Sequence, residues 1–224
     1  VRLGLIGDVH AEDELLGRAL DRLFQERVDR VLCTGDIVDG HGDVDRACAL
    51  LTKASAIVVR GNHDRWIRAD EMRNLPRAHN MTQLSVESIT LLKSLPQTVT
   101  LDVPPFTRHP PGKLLLCHGV GTNDMARLTP EDRGYAISSN EDLLGILFNP
   151  AIHVMVGGHT HRPMLRRFGR SSDKCPLWIV NPGTLARDDE PGFAILDLAV
   201  GRVDFHRFEP SGAITHVSCG VLTS

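Results

Sequence analysis

The stretch Arg2-Leu3-Gly4-Leu5-Ile6-Gly7-Asp8-Val9-His10 decides the reading of the fold. An apolar run of strand length stops at a glycine, and an aspartate and a histidine follow, two positions apart. The construction returns at residues 30–34, followed by Gly35-Asp36, and at residues 56–60, followed by Gly61-Asn62-His63-Asp64. Helix-like segments at 12–25 and 44–53 lie between these runs. In the first of them Leu15, Leu16, Ala19, Leu20 and Leu23 share one face at a period of 3.6. Strands joined by such helices run parallel, so the opening third is a βαβαβ unit with right-handed crossovers.

Further along, residues 66–81 are polar and irregular and read as a surface insertion. Thr82 is placed to cap a helix whose apolar face carries Leu84, Ile89 and Leu92 and which ends before Pro96. A strand at 97–103, a proline-rich loop at 104–112 and strands at 113–117 and 153–156 follow, with a helix at 140–148. Beyond Gly158 short strands at 164–168, 177–180, 193–198, 203–208 and 214–217 are separated by turn residues, the mark of a mainly antiparallel half. There is no internal repeat, low-complexity tract or linker. Residues 1–224 therefore read as one α/β domain, with two mixed sheets packed together and flanked by helices.

A formal net charge of -3 over 224 residues supplies no basic field for a nucleic-acid backbone, so nucleic acid is not an obligate partner. Cys33, Cys48, Cys117, Cys175 and Cys219 are odd in number and lack C-x-x-C spacing. They read as buried free thiols of a reducing compartment. The apolar run at residues 3–6 is too short for a signal-peptide core, and no run approaches the ~18 apolar residues of a membrane span. The expectation is a soluble, cytoplasmic protein with no membrane partner; a homo-oligomer is compatible with this composition.

Five polar clusters follow directly on strand-like runs: Asp8-Val9-His10, Gly35-Asp36, Gly61-Asn62-His63-Asp64, His118-Gly119 and Gly158-His159-Thr160-His161. Loops at the carboxyl ends of parallel strands converge on one crevice, so these clusters meet in space. Asp8, Asp36 and Asn62 are spaced close to one βαβ unit apart. Side chains two apart in extended backbone point to the same side, which lets Asp8 and His10, and likewise His159 and His161, each grip one ion.

Two carboxylates, an amide oxygen and four imidazoles, without thiolate, suit manganese first, or iron, cobalt, nickel or zinc. Seven ligands exceed one tetrahedral site, whereas two divalent ions sharing Asp36 account for them. Two such ions roughly 3.5–4 Å apart clamp the attacking and leaving oxygens of an in-line displacement, the help a phosphate ester needs. His63, not needed as a ligand, is the proton donor to the leaving group, with Asp64 beside it to orient the ring.

Any one Gly-Asp after a strand is by itself a turn; joint placement at five strand ends is what argues for a site. His41, His79, His109, His153, His206 and His216 lack that placement and read as surface or satisfied core residues. Asp39 and Asp43 read as caps of the helix that follows them. No glycine-rich segment ends in G-K-[ST], and no G-x-S-x-G is present.

In order, the clusters resemble the pattern of the calcineurin-like metallophosphoesterase superfamily: D-x-H, G-D, G-N-H-[DE], a later H, and G-H-x-H. The resemblance implies a four-layer αββα sandwich. It also implies one ion held by Asp8, His10, Asp36 and His161, a second held by Asp36, Asn62, His118 and His159, and His63 as proton donor. Asn181-Pro182-Gly183-Thr184 and the strand at 193–198 are similar to the small bacterial and archaeal phosphodiesterases of the superfamily.

The branch containing protein Ser/Thr phosphatases and symmetrical diadenosine tetraphosphatases reads G-D-x-V-D-R-G in the second block. Here Gly35-Asp36-Ile37-Val38-Asp39-Gly40 lacks that phosphate-gripping arginine, and Arg65, Arg127 or Arg133 are its candidate substitutes. The expected activity is hydrolysis of phosphomonoesters or phosphodiesters of a small molecule or nucleotide. Specificity is assigned to the 119–140 loop through Asn123, Arg127, Arg133 and Tyr135. Alternatives are a dinucleoside polyphosphate hydrolase, a protein phosphatase-like enzyme, a nuclease, which would want a basic groove, and a non-catalytic scaffold on the same fold.

Overall fold

The computed structural model describes residues 1–105, 110–170 and 175–222; His109 and part of the proline-rich loop lie outside them. In chain order the elements are β1 (Arg2–Ile6), α1 (Asp13–Gln25), β2 (Arg30–Cys33), α2 (Val44–Lys53), β3 (Ile57–Val58), α3 (Asn62–Ala69) and α4 (Val86–Ser94). Then come β4 (Val99–Val103), β5 (Gly112–Leu116), α5 (Tyr135–Ser138), α6 (Glu141–Phe148) and β6 (Ile152–Val156). The chain finishes with β7 (Met164–Phe168), β8 (Leu177–Asn181), β9 (Gly192–Asp197), β10 (Arg202–Phe208) and β11 (Ile214–Val221).

These strands form a six-stranded sheet, β11-β10-β9-β1-β2-β3, and a five-stranded sheet, β4-β5-β6-β8-β7. In the first, β1, β2 and β3 are parallel and β9 to β11 are antiparallel additions. In the second, β5, β6 and β8 are parallel, with β4 and β7 as antiparallel edges. Beyond Gly158 the pairings are mainly antiparallel, as the sequence predicts, but they do not form a sheet of their own. The strands there are shared between the sheets, and β8 runs parallel to β6.

Alternation along the strands sorts the apolar side chains into three layers of contact. Leu3, Leu5, Leu114, Leu116, Val154, Val156, Trp178 and Val180 fill the space between the sheets. Leu115, Cys117, Met155, Leu177 and Ile179 face the other way, onto Leu143 and Ile146 of α6. Ile6, Val31, Cys33 and Phe193 pack against α1, α2 and α4 through residues such as Leu16, Leu23, Leu51 and Leu92. Three interfaces make four layers, an αββα sandwich.

Helix starts are set by side-chain oxygens: Asp43 accepts from Arg46 N (3.0 Å) before α2, and Asn140 from Leu143 N (2.9 Å) before α6. Ser85, not Thr82, caps α4 by accepting from Ser88 N (3.2 Å), and Thr82 lies in a 3-10 turn over Met81–Gln83. The polar segment after Asn62 opens as helix α3, its first turn held by Asp64, which accepts Gly61 N–H (3.0 Å) as an N3 acid does. Cys33, Cys48 and Cys117 are buried free thiols, but Cys175 is half-buried and Cys219 is exposed on β11. No helix among the described residues is long and apolar enough to cross a membrane.

Candidate metal centre

Asp8, Asp36 and Asn62 follow β1, β2 and β3, while His118 follows β5 and His159 and His161 follow β6. The loops after β1 and β2 continue their ladder, with His10 N–H donating to Asp36 O (2.7 Å) and Ala11 N–H to Ile37 O (2.8 Å). Gly158 N–H donates to His118 O (2.6 Å), while Thr184 Oγ1–H (2.8 Å) and Leu185 N–H (2.9 Å) both donate to Asp8 O. His10, Asp36, His159 and His161 have φ of 45°, 47°, 66° and 58°. That left-handed region is unfavourable for side chains of this size, and strain of this kind collects at functional sites. Gly35, at φ 97°, makes the turn into Asp36, and a Cβ on it would overlap Gly61 N.

The side chains form two adjoining groups. In one, His10 Nε2 lies 3.1 Å from His161 Nε2, 3.9 Å from Asp36 Oδ2, and Asp8 Oδ2 lies 4.0 Å from His161 Nε2. In the other, His118 Nε2 lies 2.8 Å from Asn62 Oδ1 and 3.3 Å from Asp36 Oδ2, with the His159 ring 5.2 Å away. Asp36 Oδ2 belongs to both. His159 and His161 thus diverge, one to each group, where their spacing alone had them grip one ion. Their left-handed backbone breaks the alternation that an extended pair would keep.

Proton bookkeeping tests whether these residues fit metal ions. A carbonyl only accepts, so His10 Nδ1–H donates to Asp39 O (2.8 Å) and His118 Nδ1–H to Thr34 O (2.8 Å). Asp189 Oδ2 accepts the Nδ1–H of His161 (2.5 Å). In the neutral rings each Nε2 is left with a lone pair that faces another acceptor, and the buried Asp8 Oδ2 has no hydrogen-bond partner among the described residues. Positive charge among these atoms, as a proton on His118 Nε2 or as a metal ion, makes such a set attractive, and Nδ1–H bonds to carbonyls or carboxylates are the usual supports of metal-bound imidazoles. Ligand atoms of Asp8, Asp36 and His118, and of His10, Asp36 and His63, lie within 4.8 Å of one another. The donor set fits a pair of divalent ions.

The field agrees. Burial pushes the Asp36 carboxyl up, but contact with His118, and then His10 and His63, holds it well below the usual carboxylate range. Burial pulls His118 down, yet Asp36 and Asp8 push it up to about 10. Burial, with repulsion from His118, lowers His159. Burial opposes the charge on His63 as well, but its bond to Asp39 and the charge of Asp36 leave its pKa raised.

His63 stands against the edge of His10, with ring centroids 4.9 Å apart. Its N–H donates to Asp36 Oδ1 (2.8 Å) and its Nδ1–H to Asp39 Oδ2 (2.8 Å). Asp64 does not take the orienting role: its oxygens accept Ile37 N–H (2.8 Å) and Gly61 N–H (3.0 Å). Asp39, read from the sequence as a helix cap, holds the ring instead; its place three residues after Asp36 in the second motif was the available signal. Asp189 and Thr34, which orient His161 and His118, carried no sequence signal.

Of the residues assigned to substrate, Arg65 is engaged by Asp124 (2.7 and 3.1 Å). Arg133 is folded onto the carbonyls of Pro130 and Asp132 (2.6 and 2.7 Å). Asn123 binds Asp142 (2.8 Å) and caps Met125 N (3.0 Å). Tyr135 is 84% exposed on α5. Arg127 is exposed and its charge is felt at His159; among the described residues its guanidinium makes no hydrogen bond or ion pair.

A four-layer sandwich with this histidine and aspartate cluster defines a metal-binding phosphoesterase architecture. The model of the calcineurin-like phosphoesterase superfamily domain matches residues 1–201, and the chain belongs to that superfamily. Among solved structures it is similar to a metallophosphoesterase from Sphaerobacter thermophilus, at 24% identity over 93% of this chain and 89% of that one, TM-score 0.65. The phosphoesterase Yfce from E. coli matches at 17% identity over 100% of both chains, TM-score 0.56. Vps29 from Entamoeba histolytica matches at 19% identity over 97% and 98%, TM-score 0.54. At these identities the likeness is one of fold. A search of curated proteins finds no match.

Proposed function

We propose that the protein is a metal-dependent phosphoesterase that hydrolyses phosphomonoesters or phosphodiesters of a small molecule or nucleotide. The observation that carries the reading is a cluster of imidazoles and carboxylates turned on each other around Asp36, with a further imidazole, His63, bound to its own aspartate. Asp8, His10, Asp36 and His161 would hold one divalent ion, and Asp36, Asn62, His118 and His159 the other. Manganese or a related first-row ion, when bound there, supplies Lewis-acid activation of the phosphate and of water.

The chain's own residues provide the rest. Asp39 takes the Nδ1–H of His63, which leaves Nε2 to hand a proton to the leaving oxygen; the nearby carboxylates favour the imidazolium that can do so. Arg127, unpaired among the described residues, is the cation best able to meet a substrate phosphate. The adjoining cleft, lined by His10, His41, His63, Arg77, His161 and Asp188 among others, has a volume of about 210 Å³. Drug-sized ligands occupy roughly 300–1,000 Å³, so this space supports a small phosphorylated group.

The test is an assay of the manganese-loaded protein on p-nitrophenyl phosphate, bis-p-nitrophenyl phosphate and a nucleotide panel. Wild type is expected to hydrolyse at least one. Asp36→Asn is expected to lose bound metal and activity together. His63→Ala should keep metal and lose about 10²–10⁴-fold where the leaving group needs a proton. A wild-type protein that binds no metal and hydrolyses nothing would overturn the reading in favour of a scaffold.

A further inference from the structure

We infer that residues 71–79 form a clamp that positions His63 through Asp39, with Arg73 as the positioning residue; its catalytic meaning rests on the phosphoesterase reading above. The segment is polar and mostly exposed, yet the Arg73 side chain turns inward and is only 11% exposed. A guanidinium withdrawn from water is costly unless its N–H groups find acceptors.

Here they do. Arg73 NH1 and NH2 fork onto Asp39 Oδ1 and Oδ2, both at 2.9 Å. Nε–H donates to Glu71 O (2.7 Å) and NH1–H also to His79 O (2.6 Å), so the same group ties the two ends of its own segment together. His79 adds a bond from its N–H to Asp39 Oδ1 (2.8 Å), and its Nδ1 accepts Asp39 N–H (3.1 Å). Asp39 itself is left-handed, at φ 64°, and its side chain is 2% exposed.

The consequence is geometric. A carboxylate gripped on both oxygens by a planar fork cannot turn about its own bond. Its Oδ2 receives the His63 Nδ1–H at 2.8 Å, so the fork sets the carboxylate plane and the carboxylate sets the imidazole. Proton delivery to a leaving oxygen is sensitive to displacements of about 1 Å, so holding the ring is worth rate.

The experiment compares an alkyl phosphate ester, whose alkoxide must be protonated to leave, with a p-nitrophenyl ester, whose anion leaves unaided. Arg73→Ala is expected to lower kcat on the alkyl ester by about 10–100-fold, as loss of an orienting partner does. It should change the p-nitrophenyl rate little and leave KM unchanged for both. Arg73→Lys should recover part of the loss, and Arg73→Ala should add nothing in a His63→Ala background. Equal losses on both esters, no loss on either, or additive losses in the double variant would each overturn the clamp. If wild type hydrolyses neither ester, the phosphoesterase reading fails on its own. The clamp is then still read by NMR of the hydrogen-bonded His63 Nδ1–H proton: kept in wild type and lost in Arg73→Ala supports it, unchanged in both refutes it.

Discussion

Asp39 and Asp64 are the two aspartates placed to orient the His63 ring, one in space and one along the chain, and their partners separate them. Asp64 is fully buried, and burial together with the charge of Asp36 pushes its carboxyl up to about 6. It spends its oxygens on the N–H groups of Ile37 and Gly61, at 2.8 and 3.0 Å. Asp64→Ala should therefore cost about 1–3 kcal/mol for each N–H left without an acceptor, measured by denaturant unfolding. The preference between alkyl and aryl esters should stay as in wild type; a changed preference would return the orienting role to Asp64. The seven side chains proposed to hold metal were legible as motifs because their clusters follow strands in the chain. The partner of His63 was not, because His63 and Asp64 are consecutive on a helix and consecutive helical residues do not face each other.

At the scale of elements, α1, α2, α6 and nearly every strand announce themselves through the period of their apolar residues. The exceptions are α5, a single turn at Tyr135–Ser138 inside the segment read as the 119–140 loop, and α3, whose buried positions are Asn62, Asp64 and Ile67. A helix that buries polar side chains against a loop of the site leaves no apolar stripe to read, so the segment looks like an insertion. Helix α4 shows a smaller error of the same origin: Thr82 and Ser85 are both good caps, and only contacts distinguish them. Ser85 Oγ accepts from Ser88 N (3.2 Å) and donates to Asp45 (2.9 Å). Ser85→Ala should destabilise the protein by about 1 kcal/mol in a denaturation experiment, whereas Thr82→Ala should be close to neutral.

Over the whole molecule the three apolar layers are interrupted by few titratable groups, and His206 is one. It is buried on β10 and stacked on Phe193, with ring centroids 5.0 Å apart. Burial, then the charges of Arg22 and His216, hold its pKa below the ordinary 6.5, with Asp204 and Glu26 pulling the other way. The folded state prefers the neutral ring, so the unfolded chain takes up the proton first as pH falls. The stability tied to His206 is present above pH 6.5 and is lost as pH falls through the lower folded value. His206→Phe keeps a ring against Phe193 and should flatten the fall of Tm from pH 8 to pH 5; an unchanged slope would show that His206 does not contribute.

Strand β1 lies between β2 and β9 in its sheet, and the carbonyl of Asp8 is held by Thr184 and Leu185. A ribosome makes β1 early and β9, at Gly192–Asp197, far later. Throughout that interval the growing chain carries an apolar strand with one edge bare, the kind of edge that recruits wrong partners. The first of the five motifs to be synthesised is thus among the last to be finished, and the exposed edge beside it persists until β9 arrives.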